Sequence, residues 1–271
     1  SGDTVTVDKV VPSVVSTELS GNNFLQPTTL ITVGDTVKLS IVMDASTNEP
    51  TVTFKSGGDD LNGTVTYTNT DAKNWIASCD ISSGDTDGAI TIDLSVNDLA
   101  DNWLSGHTLI DTGSLTVDVT PPAAPTIASS WGDYLNKASD DAIDIDNSGK
   151  ITVTTTSADG YQAFLKFNGT NHNDGVGVAL VAGAAEFNIT DANPSNLTNG
   201  TVNVEAYVID DAGNSSEVTT APYTVDLESP TIGDVTFSWG THLNRIDVTQ
   251  DQTITVKTDG VANNLKVTVS L

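Results

Sequence analysis

The chain has 271 residues, of which 36 are acidic and only 10 are basic, so its formal net charge is −26. This charge excludes nucleic acid as a partner, because contacts to phosphates need clustered Lys and Arg, and it disfavours anionic membrane surfaces. The single cysteine excludes an internal disulfide framework, and no stretch approaches the roughly 18 apolar residues of a membrane span, so this segment is not expected to insert into a membrane.

The composition predicts an all-β chain. Asp outnumbers Glu by 30 to 6, Thr, Ser, Val and Ile are abundant, and no segment shows a convincing helical period. Asp favours turns, whereas β-branched residues favour strands. In chain order, the first repeat contains six runs of strand character: Thr36–Val42, Thr51–Lys55, Gly63–Thr68, Trp75–Cys79, Ala89–Val96 and Ser114–Val119. About seven short strands in about 100 residues are typical of an immunoglobulin-like Greek-key β-sandwich.

Three short motifs recur with one period. A Val-Asp-X-X-X-Pro segment occurs at Val7–Pro12, Val117–Pro122 and Val225–Pro230, and its Asp residues lie 110 and 108 positions apart. The turn Asp98-Leu-Ala-Asp-Asn102 is matched by Asp210-Asp-Ala-Gly-Asn214, and Ser-Trp-Gly occurs at 130–132 and at 238–240. These coincident spacings predict tandem repeats of about 108 residues.

The phase of the repeats predicts the domain boundaries. Residues 1–8 are expected to be the last strand of a preceding immunoglobulin-like domain. Residues 9–118 and 119–226 are expected to form two complete domains, and residues 227–271 the N-terminal part of a further, incomplete one. The Asp/Pro segments between them serve as short linkers, because proline fixes the direction of the chain. The parent chain is thus expected to continue on both sides.

The repeated acids predict a metal site at each junction. Alternating strand directions bring the B–C and F–G loops to the pole where the linker enters, so Asp8 should meet acids of both loops. Several carboxylates at close range repel one another unless a cation lies between them, and Ca²⁺ takes six to eight oxygen ligands. The predicted ligands are Asp8, Asp44 or Glu49, Asp98, Asp101 and Asn102 in the first repeat, Asp118, Asp159, Asp210, Asp211 and Asn214 in the second, and Asp226 and Asp259 in the third.

A simpler interpretation is that these Asp-rich segments are good turns that keep the surface soluble. Two further acidic loops are expected to be turns rather than ligands. Asp144–Ile151 matches the start of an EF-hand-type loop, but Thr155 stands where the bidentate Glu is required, so a hairpin turn is predicted. Asp85–Gly88 is likewise predicted to be a turn.

No catalytic constellation is evident, and the chain is not predicted to be an enzyme. His107, His172 and His242 lie at unrelated phases of the repeat and are each expected to be exposed in loops. Cys79 lies in a predicted strand and is expected to behave as a small buried hydrophobic residue.

The Val-Asp-X-X-X-Pro linkers, the Asp-X-Ala-Gly-Asn turn and the Ser-Trp-Gly segments resemble bacterial immunoglobulin-like (Big-type) tandem repeats of large cell-surface adhesins and biofilm-associated proteins. The resemblance implies an extracellular, structural extender whose domain junctions are stiffened by Ca²⁺. Its implied partners are neighbouring repeats of the same chain and other copies in a surface assembly.

The sequence is compatible with two other functions. The same domains could build a surface layer or sheath through lattice contacts, which leave no sequence motif. A carbohydrate-binding module could use Trp131, Tyr134 and Trp239 as aromatic platforms. Because the two Trp residues recur at one phase of the repeat, packing explains them with fewer assumptions than sugar binding.

Overall fold

The computed structural model describes residues 7–22, 29–109, 115–130, 134–136, 150–158, 160–189, 199–226, 231–239 and 253–259. Almost all regular structure in these ranges is β-strand, and the exception is a single 3₁₀ turn at Asn173–Gly175. In the same ranges no helix has the length and hydropathy needed to cross a membrane. The prediction of an all-β chain is confirmed.

Ten strands between residues 14 and 117 form two sheets that face each other, which we call the first sandwich. One sheet has the order β1-β3-β7-β6, and the other has the order β2-β10-β8-β4-β5 with β9 also paired to β8. The strands are β1 (Val14–Gly21), β2 (Leu30–Ile31), β3 (Thr36–Met43), β4 (Thr51–Ser56), β5 (Asp59–Asp60), β6 (Thr66–Asp71), β7 (Asn74–Asp80), β8 (Gly88–Asn97), β9 (Trp103–Leu109) and β10 (Thr116–Val117).

Most predicted strands of this sandwich agree with the structure. Five of the six lie within two residues of the observed bounds, whereas the run predicted at 63–68 is observed at 66–71. Four strands were not predicted: β1, β9 and the two-residue strands β2 and β5. Along β1 only Leu19 is buried, and no residue of β9 with a described side chain is buried, so these edge strands lack the alternation that marks a half-buried strand.

The core of the first sandwich follows from alternation along its central strands. In β3, Val37, Leu39 and Ile41 point inward and are almost completely buried, as is Phe54 of β4 in the facing sheet. Cys79 of β7 is 1% exposed and belongs to the same cluster, and burial raises the pKa of its thiol to about 11. The prediction that it is a small buried hydrophobic residue is confirmed.

Nine strands between residues 126 and 226 form the second sandwich. Its sheets have the orders β11-β13-β17 and β12-β19-β18-β14-β15, with β16 also paired to β14. The strands are β11 (Thr126–Ser129), β12 (Tyr134–Asn136), β13 (Lys150–Thr154), β14 (Gln162–Phe167), β15 (Thr170–Asn171), β16 (Val178–Ala179), β17 (Ala184–Asn188), β18 (Gly200–Ile209) and β19 (Thr219–Asp226). Its separate core includes Ile151, Leu165, Phe187 and Val204.

Beyond the second sandwich, β20 (Thr231–Phe237) and β21 (Ile254–Asp259) pair antiparallel. The predicted hairpin at Asp144–Ile151 lies almost wholly outside the described residues. That prediction is therefore not tested and stays a prediction.

The strand directions fix which loops meet at a linker. In both sandwiches the last strand runs parallel to a short early strand, β2 with β10 and β12 with β19. β8 is antiparallel to β10, and β18 is antiparallel to β19, so both β8 and β18 end at the pole where the chain enters. The turns that follow β8 and β18 thus lie beside the incoming linkers.

Candidate junction site

The turns after β8 and β18 are closed by one Asp and the Asn four residues later. The Asp98 carboxylate accepts hydrogen bonds from the backbone of Ala100 (2.8 Å) and of Asn102 (2.9 Å), and from the Asn102 side-chain amide (2.9 Å). Asp210 accepts from Asn214 in the same way, at 2.8 Å from the backbone and 3.0 Å from the side chain. Asp and Asn favour such turns because their side chains bond to nearby backbone groups. The bond from Asn102 is the main reason why the pKa of Asp98 is lowered.

Each turn Asn also reaches the incoming linker. The Nδ2 atom of Asn102 lies 3.4 Å from the carbonyl oxygen of Asp8, and that of Asn214 lies 2.9 Å from the carbonyl oxygen of Asp118. Asn214 Nδ2 also lies 3.4 Å from Asp118 Oδ1. The linker Asp, the turn Asp and the turn Asn therefore come together at the start of both sandwiches.

The first sandwich contributes two further groups to the linker that leaves it. The hydroxyl of Thr32 donates a hydrogen bond to Oδ1 of Asn214, across the boundary between the sandwiches. The Asp87 carboxylate accepts from the backbone of Val119 (2.7 Å) and from the hydroxyl of Thr120 (2.5 Å). The sequence predicted a turn at Asp85–Gly88, which contains Asp87, and did not single out Thr32. The alternating strand directions that place the F–G loop at the pole where the chain enters also place Asp87, just before β8, at the opposite pole, where the chain leaves.

The charge at this junction is unbalanced. Burial, Asp210 and Asp87 together raise the pKa of the Asp118 carboxyl, with a smaller contribution from Asp211. Burial and the same acidic surroundings raise the pKa of the Tyr161 hydroxyl. A raised carboxyl pKa means that the ionised form is disfavoured, so a cation or a proton at this place would stabilise the folded junction.

The B–C loop only partly joins the site at the first pole. Asp44 lines a cleft of about 530 Å³ together with Asp8 and Asp98. Its carboxylate already accepts from the backbone (2.8 Å) and the hydroxyl (2.7 Å) of Ser13. Glu49 is exposed and forms no hydrogen bond or ion pair with any other described residue. Asp101 has a left-handed backbone (φ 64°), and its carboxylate accepts a hydrogen bond from the Asn97 side chain (2.8 Å).

The remaining predicted ligands contribute less or cannot be placed. Asp211 is exposed and acts on Asp118 through its charge alone. Asp226 ends β19 and Asp259 ends β21, but both side chains lie outside the described part of the structure, as does the whole of Asp159.

The arrangement meets only part of what a Ca²⁺ ion needs. Among the described residues, no three acidic, histidine or cysteine side chains are grouped closely enough to hold a metal. Both oxygens of Asp98 and of Asp210 accept hydrogen bonds, and an amide nitrogen bridges Asp118 and Asp210. The repulsion around Asp118 still favours a cation. The calcium assignment therefore stays a prediction.

The other candidate residues give one correction. His172 is 4% exposed and packs against Phe167 and Phe187, so the prediction that it lies exposed in a loop is wrong. The side chains of His107, Trp131, Tyr134 and His242 lie outside the described residues. Trp239 is half-buried, with its ring centroid 5.1 Å from that of Phe237.

Comparisons with known proteins add no family assignment. No protein-family model and no curated protein matches the chain. Fibronectin(III)-like modules of CbhA from Clostridium thermocellum are 14% identical over 77% of this chain and 94% of theirs, with a TM-score of 0.36. The I67–I69 fragment of titin is 12% identical over 82% and 68%, with a TM-score of 0.41. A 1.5-MDa bacterial ice-binding adhesin is 19% identical over 83% and 70%, with a TM-score of 0.34. Values this low carry no functional inference.

Proposed function

We propose that this chain is an extender segment of a secreted cell-surface adhesin, built from immunoglobulin-like domains at residues 9–118 and 119–226 that stack end to end. The observation that carries the proposal is the hydrogen bond from the turn Asn to the linker Asp, which recurs at the start of both sandwiches. A binding protein needs one such site, whereas a stalk needs the same bond at every junction.

The junction between the first and the second sandwich has enough contacts to resist bending. Asp87 and Thr32 reach it from the first sandwich, and Asn214 reaches it from the second. Bonds on both sides of a short linker restrict the angle between two domains, because bending must break at least one of them. Pro121 and Pro122 further restrict the backbone between the sandwiches.

We also propose that Ca²⁺ stiffens this junction further. The support is the acidic surroundings of Asp118, where a cation would remove the repulsion that Asp210 and Asp87 exert. Ca²⁺ suits a site with carboxylate and amide oxygens, for which Asp118, Asp210 and Asn214 are the available ligands. An ion that binds only the folded junction also raises its stability.

Small-angle scattering of the full chain, in about 2 mM Ca²⁺ and then in excess chelator, tests both proposals. An extender should give an elongated envelope in both conditions, and Ca²⁺ should make it longer or stiffer. Asp118→Asn should keep the elongated shape and lose the response to Ca²⁺. The matched control is Asp60→Asn, which removes the same charge from an exposed site on β5 and should keep the response.

The outcomes separate the two proposals. A compact or freely bending chain in both conditions would contradict the extender function. An elongated chain whose shape does not change with Ca²⁺ would support the extender function and contradict the proposal that Ca²⁺ stiffens the junction. Sheets or filaments at high concentration would instead favour the surface-layer alternative.

A further inference from the structure

The buried histidine of the second sandwich occupies a position that an apolar residue holds in the first. The backbone N–H of His172 donates to Leu165 (2.9 Å), and that of Leu61 donates to the equivalent Phe54 (2.9 Å). The preceding pairs agree, since Asn171 pairs with β14 where Asp60 pairs with β4. Leu61 packs against its core as an ordinary hydrophobic residue. His172 places a titratable ring at the same point.

The surroundings of His172 suit a neutral imidazole only. The ring lies between Phe167 (centroids 5.7 Å apart) and Phe187 (5.9 Å), and its Nδ1 atom is buried without a hydrogen-bond partner among the described residues. Burial lowers the pKa of the ring, and the backbone of Asn188 opposes this shift only in part. A protonated ring would need a partner at Nδ1 that this pocket lacks.

Among the described residues of the strands that hold the two phenylalanines and of the histidine's own segment, no charged side chain faces the ring. Lys166 on β14 and Glu186 on β17 alternate with the buried phenylalanines, so they point to the outer faces of their sheets. Glu186 pairs there with Lys150 at 2.6 Å. On the histidine's own segment, Asp174 is exposed to solvent. Hence none of these carboxylates is placed to compensate a positive charge on the ring.

The turn that follows His172 is conformationally demanding. Asn173, Asp174 and Gly175 have successive positive φ values of 51°, 52° and 80°. Residues other than glycine rarely adopt this left-handed backbone conformation, so contacts elsewhere are needed to hold the turn. His172, which directly precedes the turn, joins it to the core through its contacts with Phe167 and Phe187.

We propose that His172 makes the second sandwich sensitive to acid: at low pH its ring leaves the aromatic pocket and releases the segment from residue 170 to residue 178, while the first sandwich, with Leu61 at this position, stays intact. The direction follows from linkage. The folded-state pKa lies below that of the unfolded chain, about 6.5, so the unfolded state binds the proton more tightly. Stability is full above about pH 6.5 and falls as the pH drops towards the folded-state pKa.

The test is urea unfolding of the full chain between pH 7.5 and 5, for the natural protein and for His172→Leu. The unfolding equilibrium constant of the natural second sandwich, relative to the variant, should rise about tenfold per pH unit below about 6.5 until the folded-state pKa is reached. The variant copies Leu61, and His172→Phe is a second apolar replacement. Parallel pH profiles for the natural protein and both variants would overturn the proposal.

Two measurements on the natural protein locate the effect. Hydrogen exchange, corrected for the intrinsic effect of pH, should show faster exchange in residues 165–181 at pH 5, with no such change in residues 54–66. The NMR titration of the His172 ring should have a midpoint below 6.5. A midpoint at or above 6.5, or equal opening of both segments, would contradict the proposal.

Discussion

The two sandwiches share a plan but differ at equivalent positions on their outer faces and edges. At one pair of central-strand positions, the first has Thr53 opposite Asp93 and the second has Phe164 opposite Tyr207. In the first, Lys55 forms an ion pair with Asp93 at 2.7 Å. In the second, the two rings stack with centroids 5.1 Å apart, and Lys166 lies 5.1 Å from the Tyr207 ring centroid. The fold therefore determines which positions lie opposite each other, but it does not determine whether an ion pair or stacked rings join them.

At the pole where the chain enters, by contrast, the two sandwiches use the same side chains. Both poles use an Asp to close the turn and an Asn to reach the linker, although Leu99 in one turn is replaced by Asp211 in the other. The bond to the linker is shorter in the second sandwich, where Thr32 adds a second bond to Asn214. The side chains that join the turn to the linker recur, whereas those that pair neighbouring strands on the outer face vary.

Removing a large core side chain should have the largest effect and should reveal whether the sandwiches unfold independently. Phe54 and Leu165 occupy equivalent buried positions. Phe54→Ala should destabilise the first sandwich by about 4 kcal/mol and Leu165→Ala the second by about 3 kcal/mol, since each leaves a cavity. Calorimetry should show one transition shifted in each variant. A common shift of all transitions would mean that the sandwiches unfold as one unit.

Removing the turn Asn should have an intermediate effect that differs between the poles. Asn214→Ala deletes bonds to Asp210, to Asp118 and to Thr32, and should cost about 2 kcal/mol. Asn102→Ala deletes a longer hydrogen bond to the linker, the one to the carbonyl oxygen of Asp8, and should cost about 1 kcal/mol. Thermal unfolding of both variants measures the difference. Equal losses would mean that the Thr32 contact contributes little.

Disrupting the outer-face pairs should have the smallest effect, and salt should separate the two kinds of contact. Tyr207→Ala removes a stacked pair worth about 1 kcal/mol, and this loss should not depend on ionic strength. Asp93→Asn removes an exposed ion pair, whose small contribution should disappear in about 1 M salt. Urea unfolding at low and high salt provides the comparison. A salt-dependent loss for Tyr207→Ala would show that the Lys166 charge, rather than stacking, dominates there.

Much of the fold could be predicted because its determinants are local. Alternation of buried and exposed residues along β3 and β8 marks half-buried strands in the sequence itself. Strands β1 and β9 escaped prediction because an edge strand needs few buried side chains. His172 escaped for a related reason: its polar type suggested a loop surface, whereas its burial comes from Phe167 and Phe187 on two other strands.

At the junction, the sequence by itself determined the pairs that lie within one turn and the pole at which they lie. Asp210 and Asn214 are four residues apart, so their bond needs only the conformation of that turn. Tertiary structure decided the rest, because Thr32 is 182 positions from Asn214 and Asp87 reaches Thr120 from a separate turn. Such contacts depend on how two folded sandwiches meet. The spacing of these residues in the sequence does not predict the contacts, because the folded strands between the two partners determine how far apart they lie.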